Sequence, residues 1–160
     1  MFVHHVHSRR WTTMLLLTTA VMACSDAGPD VRETPLESQV FAPALGVDLA
    51  SMTKLSSGVY IKDLQVGSGT AAVVSSSTVT VLYTGWLANG TVFDSNAGGT
   101  PITFPLANLV AGWQSGLPGL KVGGKRRLVI HSSQAYGPGG SGPIPPYANL
   151  VFDVQLTAVK

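Results

Sequence analysis

A single cysteine, Cys24, means that no disulfide can form within the chain and no thiolate cluster can hold a metal. Histidine is almost as scarce where it would count. His4, His5 and His7 lie close to the start, and past them only His131 remains, too little for a histidine-rich metal site. Glutamate stops at Glu37, and beyond residue 57 the acids are Asp63, Asp94 and Asp153. A paired-carboxylate hydrolase or a Ser/His/Asp relay would take nearly that whole stock, and no G-x-S-x-G elbow is present. Charged residues make up only 11% of the sequence, against 18 glycines and 10 prolines, a balance that favours turns and strands over long solvated helices.

The apolar run near the start reads as an export signal. Arg9 and Arg10 supply a positive region, and Met14 to Ala23 an apolar stretch too short for the roughly 20 residues a membrane span needs. Val21-Met22-Ala23-Cys24 resembles the bacterial lipobox, in which the cysteine is diacylated and becomes the new N-terminus. The other reading of Cys24 is a free thiol. Residues 1–23 are therefore expected to be a lipoprotein signal peptide and Cys24 the lipid attachment site, two acyl chains giving stable anchoring. The domain would then be exported to the periplasmic side of a bacterial membrane, with Ser25 after Cys24 favouring the outer membrane over the inner. Arg9 and Arg10 leave with the leader and no acid precedes Asp26, so the ten basic residues fall to eight, against eight acids. A neutral mature chain has no general electrostatic reason to bind nucleic acid.

Residues 24–57 carry Gly28, Pro29, Pro35, Pro43 and Ser56-Ser57 without sustained periodicity, and read as a tether, in which Val47 to Leu55 could order into a short turn. From Gly58 strands take over. Val59 to Val66 is β-branched and aromatic, Val79, Val81 and Tyr83 alternate, and a hairpin signal at Ala88-Asn89-Gly90 leads into Thr91-Val92-Phe93. Arg126 to His131 is a further strand, and Leu150, Phe152, Val154, Leu156 and Ala158 give the clearest alternation, which would turn Asp153 outward. The basic run Lys121, Lys125, Arg126 and Arg127 has no interleaved aromatics and reads as a solvated face or strand edge. Leu109, Val110, Trp113 and Leu117 fall on one helical face, ended by Pro118-Gly119. A helix this short must pack on the sheet. The fold class is α+β, a curved antiparallel sheet wrapped around one short helix.

These segments resemble one family. Val81-Leu82-Tyr83-Thr84-Gly85-Trp86-Leu87, Val92-Phe93-Asp94-Ser95, Phe104-Pro105-Leu106 through Gly112-Trp113, Ala135-Tyr136-Gly137, Ile144-Pro145-Pro146 and Leu150 to Leu156 stand in the order found in FKBP-type peptidyl-prolyl cis-trans isomerases. The resemblance covers residues 58–160. It implies a pocket with catalytic residues Tyr83, Asp94, Trp113, Tyr136 and Phe152. Phe93, Ile102, Leu109, Val110 and Ile144 would bind substrate, the backbone N–H of Val110 serving as a donor. Singly, Phe93, Trp113 and Phe152 read as core, Tyr83 and Tyr136 as packed tyrosines, and Asp94 as a turn cap. Only their joint register points to a site. The segment Ser95 to Thr100 is short, with no match for the basic residue that pairs with the pocket aspartate in well-known members, and the loop Pro138 to Pro143 is rich in glycine and proline. Both departures bear on substrate preference and macrolide affinity.

Such a family implies an isomerase of the cell envelope acting on proline-containing unfolded or partly folded polypeptides, inhibited by macrolides, monomeric, and without cofactor or metal. Rotation about an amide breaks no bond, so neither nucleophile nor metal is required. The alternative is a lipid-tethered peptide-binding or chaperone module with little turnover.

Overall fold

The computed structural model describes residues 33–69 and 72–160; the leader, Cys24 and the first part of the expected tether lie outside them. Seven strands form one antiparallel sheet: β1 (Thr53–Lys54), β2 (Tyr60–Gln65), β3 (Thr78–Leu87), β4 (Val92–Ser95), β5 (Ile102–Pro105), β6 (Lys125–Ile130) and β7 (Leu150–Val159). The order is β1-β2-β6-β7-β3-β4, with β5 also paired to β3. The two long strands β3 and β7 run side by side from Val79↔Val159 to Leu87↔Leu150, and β6 flanks β7 from Lys125↔Gln155 to Ile130↔Leu150. The expected hairpin closes between β3 and β4, where Gly90 takes φ 89°, a conformation that suits glycine.

Alternation along β6 and β7 sends side chains to two hydrophobic clusters, one on each face of the sheet. Leu128, Ile130, Leu150, Phe152, Val154 and Leu156 join Val59, Val79, Val81, Leu106, Trp113 and Leu117 in the main core, beneath the helix α1 (Ala111–Gly116). The helix is shorter than its apolar spacing predicts, because Leu106–Asn108 forms a separate 3-10 turn and Val110 acts as N-cap. Gly112 lets it sit tight on the sheet, since a Cβ there would stand 2.4 Å from Ile130.

The opposite face holds the main corrections to the sequence reading. From Glu33 onward the expected tether is part of the same compact unit as the sheet. Its 3-10 turns at Leu36–Ser38, Pro43–Leu45 and Leu49–Ser51 bring Leu36 and Leu45 onto Tyr60, Val129 and Val151, forming the second cluster with Trp86 at its edge. The domain boundary expected at residue 58 therefore lies ahead of Glu33. This segment was missed because its apolar residues follow no strand or helix period, only the spacing of successive tight turns.

Asp153 does alternate away from the main core, but it meets this strap rather than water and is 8% exposed. Arg127 holds it in a two-bond pair, Nε to Oδ1 at 2.7 Å and Nη2 to Oδ2 at 3.0 Å, and also donates to the Leu45 carbonyl. Arg126 is no edge residue either: it pairs with Asp63 and donates to the carbonyls of Gly116 and Pro118, satisfying the end of α1. β6 is an interior strand, so its basic run is spent on structural pairing.

Candidate functional site

A hollow opens where β3, β4, β5, β7 and the start of α1 converge. Tyr83 comes from β3, Phe93 and Asp94 from β4, Phe104 from β5, Trp113 from α1 and Phe152 from β7; Leu109 and Val110 form one rim and Tyr136 another. The cavity measures about 80 Å³. With roughly 10–15 Å³ needed for one water-sized sphere, it has room for a group of about five to eight heavy atoms, the size of a small ring.

Its walls are locked by edge-on aromatic packing. Tyr83 meets Trp113 at 5.5 Å and 86°, Trp113 meets Phe152 at 5.3 Å and 88°, and Phe152 meets Phe93 at 5.4 Å and 87°. These are favoured edge-to-face geometries for π-systems and leave each ring little freedom. Gly85 sits under Phe93 and Phe152, opposite Asp94 on one neighbouring strand and Phe152 on the other. A Cβ there would lie 2.5 Å from Phe93 Cζ and 2.8 Å from Phe152 Cε1, so the position has no space for a side chain.

The polar groups are few. The Tyr83 hydroxyl donates to Asp94 Oδ2 at 2.5 Å. Burial, reinforced by that bond and by the Asp94 charge, pushes the Tyr83 phenol well above its ordinary range, so it stays a donor. Burial and Asp94 raise Tyr136 in the same direction. The short segment after β4 is stapled by Asn96, which accepts from Tyr83 N at 2.7 Å and donates to the carbonyls of Val81 and Thr100. The Val110 N–H finds no acceptor among the described residues and stands free at the rim.

Eight of the ten expected pocket residues line this cavity. Ile144 lines a neighbouring one of about 210 Å³ that shares Phe93, Asp94 and Tyr136 and is completed by Ser141, Gly142 and Pro143. Ile102 does not line the cavity; it stands at an outer position of β5, 41% exposed. Phe104, two residues on and so on the same face of β5, lines it instead, and the strand period alone does not choose between the two. A wider cleft of about 360 Å³ between the strap and the 3-10 turn Ser132–Gln134 is lined by Glu33, Glu37, Lys54 and His131. Its carboxylates are already engaged, Glu37 with Lys54 and Tyr60, Glu33 with Ser132, and it has no aromatic floor. Among the described residues no group of three or more His, Cys, Asp or Glu could hold a metal ion.

Residues 69–157 match the family described as FKBP-type peptidyl-prolyl cis-trans isomerase. The chain is 46% identical over 106 residues to the FK506-binding protein of Neisseria meningitidis serogroup B, covering 64% of this chain and 96% of that one. It is 41% identical over 134 residues to FK506-binding protein 4 of Emericella nidulans, covering 82% of this chain but only 26% of the fungal protein, so it spans about a quarter of that relative's length. The crystal structure of a peptidyl-prolyl cis-trans isomerase from Pseudomonas syringae pv. tomato superposes with a TM-score of 0.64 at 33% identity, covering 81% of this chain and 98% of that one.

Proposed function

The chain belongs to the FKBP-type peptidyl-prolyl cis-trans isomerase family, and from that premise we propose that it speeds Xaa-Pro rotation in unfolded or partly folded polypeptides of the cell envelope. The observation that carries the reading is the ring-sized hollow walled by Tyr83, Phe93, Trp113 and Phe152, with a free N–H at its rim.

An amide must lose its resonance to rotate, over a barrier of about 18–20 kcal/mol. The planar amide is the more dipolar state, so an apolar cavity that strips it of water disfavours it relative to the twisted one. The proline ring enters between the aromatic rings. The Val110 N–H pairs with the substrate carbonyl, while Asp94, held by Tyr83, presents fixed negative charge beside the rotating bond. An acceleration of about a millionfold needs about 8 kcal/mol. No covalent step is involved.

The setting follows from the leader: a chain diacylated at Cys24, exported, and tethered to a bacterial membrane as a monomer, where slow proline isomerisation limits folding of its clients. The shared pocket also supports binding of a macrolide that closes it. The test is isomerisation of a Leu-Pro or Phe-Pro peptide by the chain from Ser25 onward, with and without an FKBP-binding macrolide, alongside Trp113→Leu. Acceleration suppressed by the macrolide and lost in a folded Trp113→Leu supports the enzyme. A folded wild type that binds proline peptides without accelerating them establishes the peptide-binding module instead.

A further inference from the structure

Residues 131–149 leave the sheet at the end of β6 and return at the start of β7, Ile130 and Leu150 being paired neighbours. On the way they carry Tyr136 to the pocket and Ile144 to the cavity beside it. Between Tyr136 and Tyr147 this glycine-rich loop buries only Ile144 in the main core, so the rest of its position depends on how its two ends are fixed.

Asn149 fixes them. It is 2% exposed, and its Oδ1 accepts from the backbone N–H of Ser132 at 3.0 Å, tying the last residue of the loop to the second. Its Nδ2 donates to the Thr34 carbonyl at 2.7 Å and to Gln39 Oε1 at 3.1 Å, both on the N-terminal strap. Ser132, fully buried, donates in turn to Glu33. One amide thus uses its acceptor on the loop and both donors on the strap. Within the loop, Tyr147 N donates to the Gly137 carbonyl at 2.8 Å, passing the constraint from the Asn149 end to the residue after Tyr136.

We infer that Asn149 is a positioning residue of the site, and that through it the strap formed by residues 33–39 sets where Tyr136 and Ile144 stand over the bound peptide. The inference rests on the isomerase reading. It implies that the segment ahead of the sheet is part of the working enzyme rather than a spacer.

The test compares peptide kinetics of the chain from Ser25 onward with those of Asn149→Ala, Asn149→Asp and, as a packing control at the far end of β7, Leu156→Ala. All are measured well below their unfolding midpoints. Asn149→Ala should raise KM about five- to tenfold with a smaller change in kcat, since the pocket floor is untouched, while Leu156→Ala, which destabilises by opening a cavity in the main core, keeps the wild-type KM. Asn149→Asp keeps the acceptor for Ser132 but turns a carboxylate oxygen toward the Thr34 carbonyl. Its KM should be raised at pH 8 and fall back toward wild type as the carboxyl is protonated and regains a donor. The wild-type profile over the same range accounts for Glu33 and His131, the titrating groups packed against the loop ends. Wild-type KM in a folded Asn149→Ala, or an equal rise in Leu156→Ala, overturns the inference. Should Asn149→Ala not fold, Gln39→Ala, which removes one strap acceptor of the Asn149 amide at a half-buried position, decides it: a raised KM supports the inference, an unchanged one overturns it. A wild type without isomerase activity strikes the proposed function instead, which separates the two failures.

Discussion

Gly85→Ala places one methyl group under the pocket and makes the sharpest demand on the packing. The added carbon would stand 2.5 Å from Phe93 Cζ and 2.8 Å from Phe152 Cε1. Carbon atoms rest at about 3.5–4.0 Å, so the two rings must withdraw by about 1.0 and 0.7 Å. Phe152 is 4% exposed and backed by Trp113, which leaves the cavity as the open direction. Overpacking of this kind costs about 1–3 kcal/mol, or roughly 4–12 °C in Tm for a domain of this size. Catalysis should suffer more than stability. A shift of about 1 Å in positioning groups can cost about a hundredfold, and here two of the four rings move into a hollow of about 80 Å³. The expected result is a folded protein whose kcat/KM, measured by protease-coupled cleavage of a proline peptide, is down by about 10–100-fold. Gly139→Ala is the control, because nothing lies within 4 Å of its Cβ position. A folded Gly85→Ala with wild-type kcat/KM and Tm would refute the claim that these rings define the working volume.

Asp153→Ala leaves the Arg127 guanidinium buried without its partner and should cost about 3 kcal/mol in chemical denaturation, with kcat/KM within twofold because the pair meets the strap at Leu45, away from residues 33–39 and the pocket; a loss of activity as large as the loss of stability would contradict that placement. Hydrogen bonds from Lys54 and Tyr60 hold the Glu37 carboxyl down at about 2. A depressed folded pKa stabilises fully above the unfolded value near 4.3 and loses that contribution as pH falls through about 2. The Tm gap between wild type and Glu37→Gln should therefore be constant above about pH 5 and close toward pH 2; a gap independent of pH would show that the charge is not what latches the strap. The raised Tyr83 phenol predicts that kcat/KM shows no tyrosine-like decline as pH passes 10, and a drop centred there would mean that the hydroxyl is not held by burial and Asp94.

The sheet was legible in the sequence because alternation is a local signal. β6 and β7 begin and end within one residue of where the apolar pattern places them, and β3 begins within one but runs four residues past Tyr83, to Leu87. The pocket was legible for another reason: Tyr83, Phe93, Trp113 and Phe152 are unremarkable singly and informative only in their shared order along the chain. What escaped were features decided by a partner distant in sequence. Asp153 alternates as an outward residue must, and nothing in β7 says that residues 33–52 cover that face. Arg126 and Arg127 look like a solvated run until Asp63 and Asp153 are placed beside them. Ile102 and Phe104 share a face of β5, and which of them reaches the hollow is decided by their register on β3, Ile102 opposite Val81 and Phe104 opposite Val79.

The place of β7 in the strand order has a consequence for how the molecule is made. The last of these seven strands in sequence order lies between β6 and β3, and without it the sheet is two separate pieces, β1-β2-β6 and β3-β4-β5. Neither piece can close the main core alone, because Leu150, Phe152, Val154 and Leu156 supply much of it. Folding of the sheet therefore cannot be completed segment by segment and must wait for β7 to meet strands distant in sequence, which is intrinsically slow. Until β7 docks, β6 and β3 each present an unpaired edge, so the half-built sheet is the state in which this chain is most open to wrong pairings.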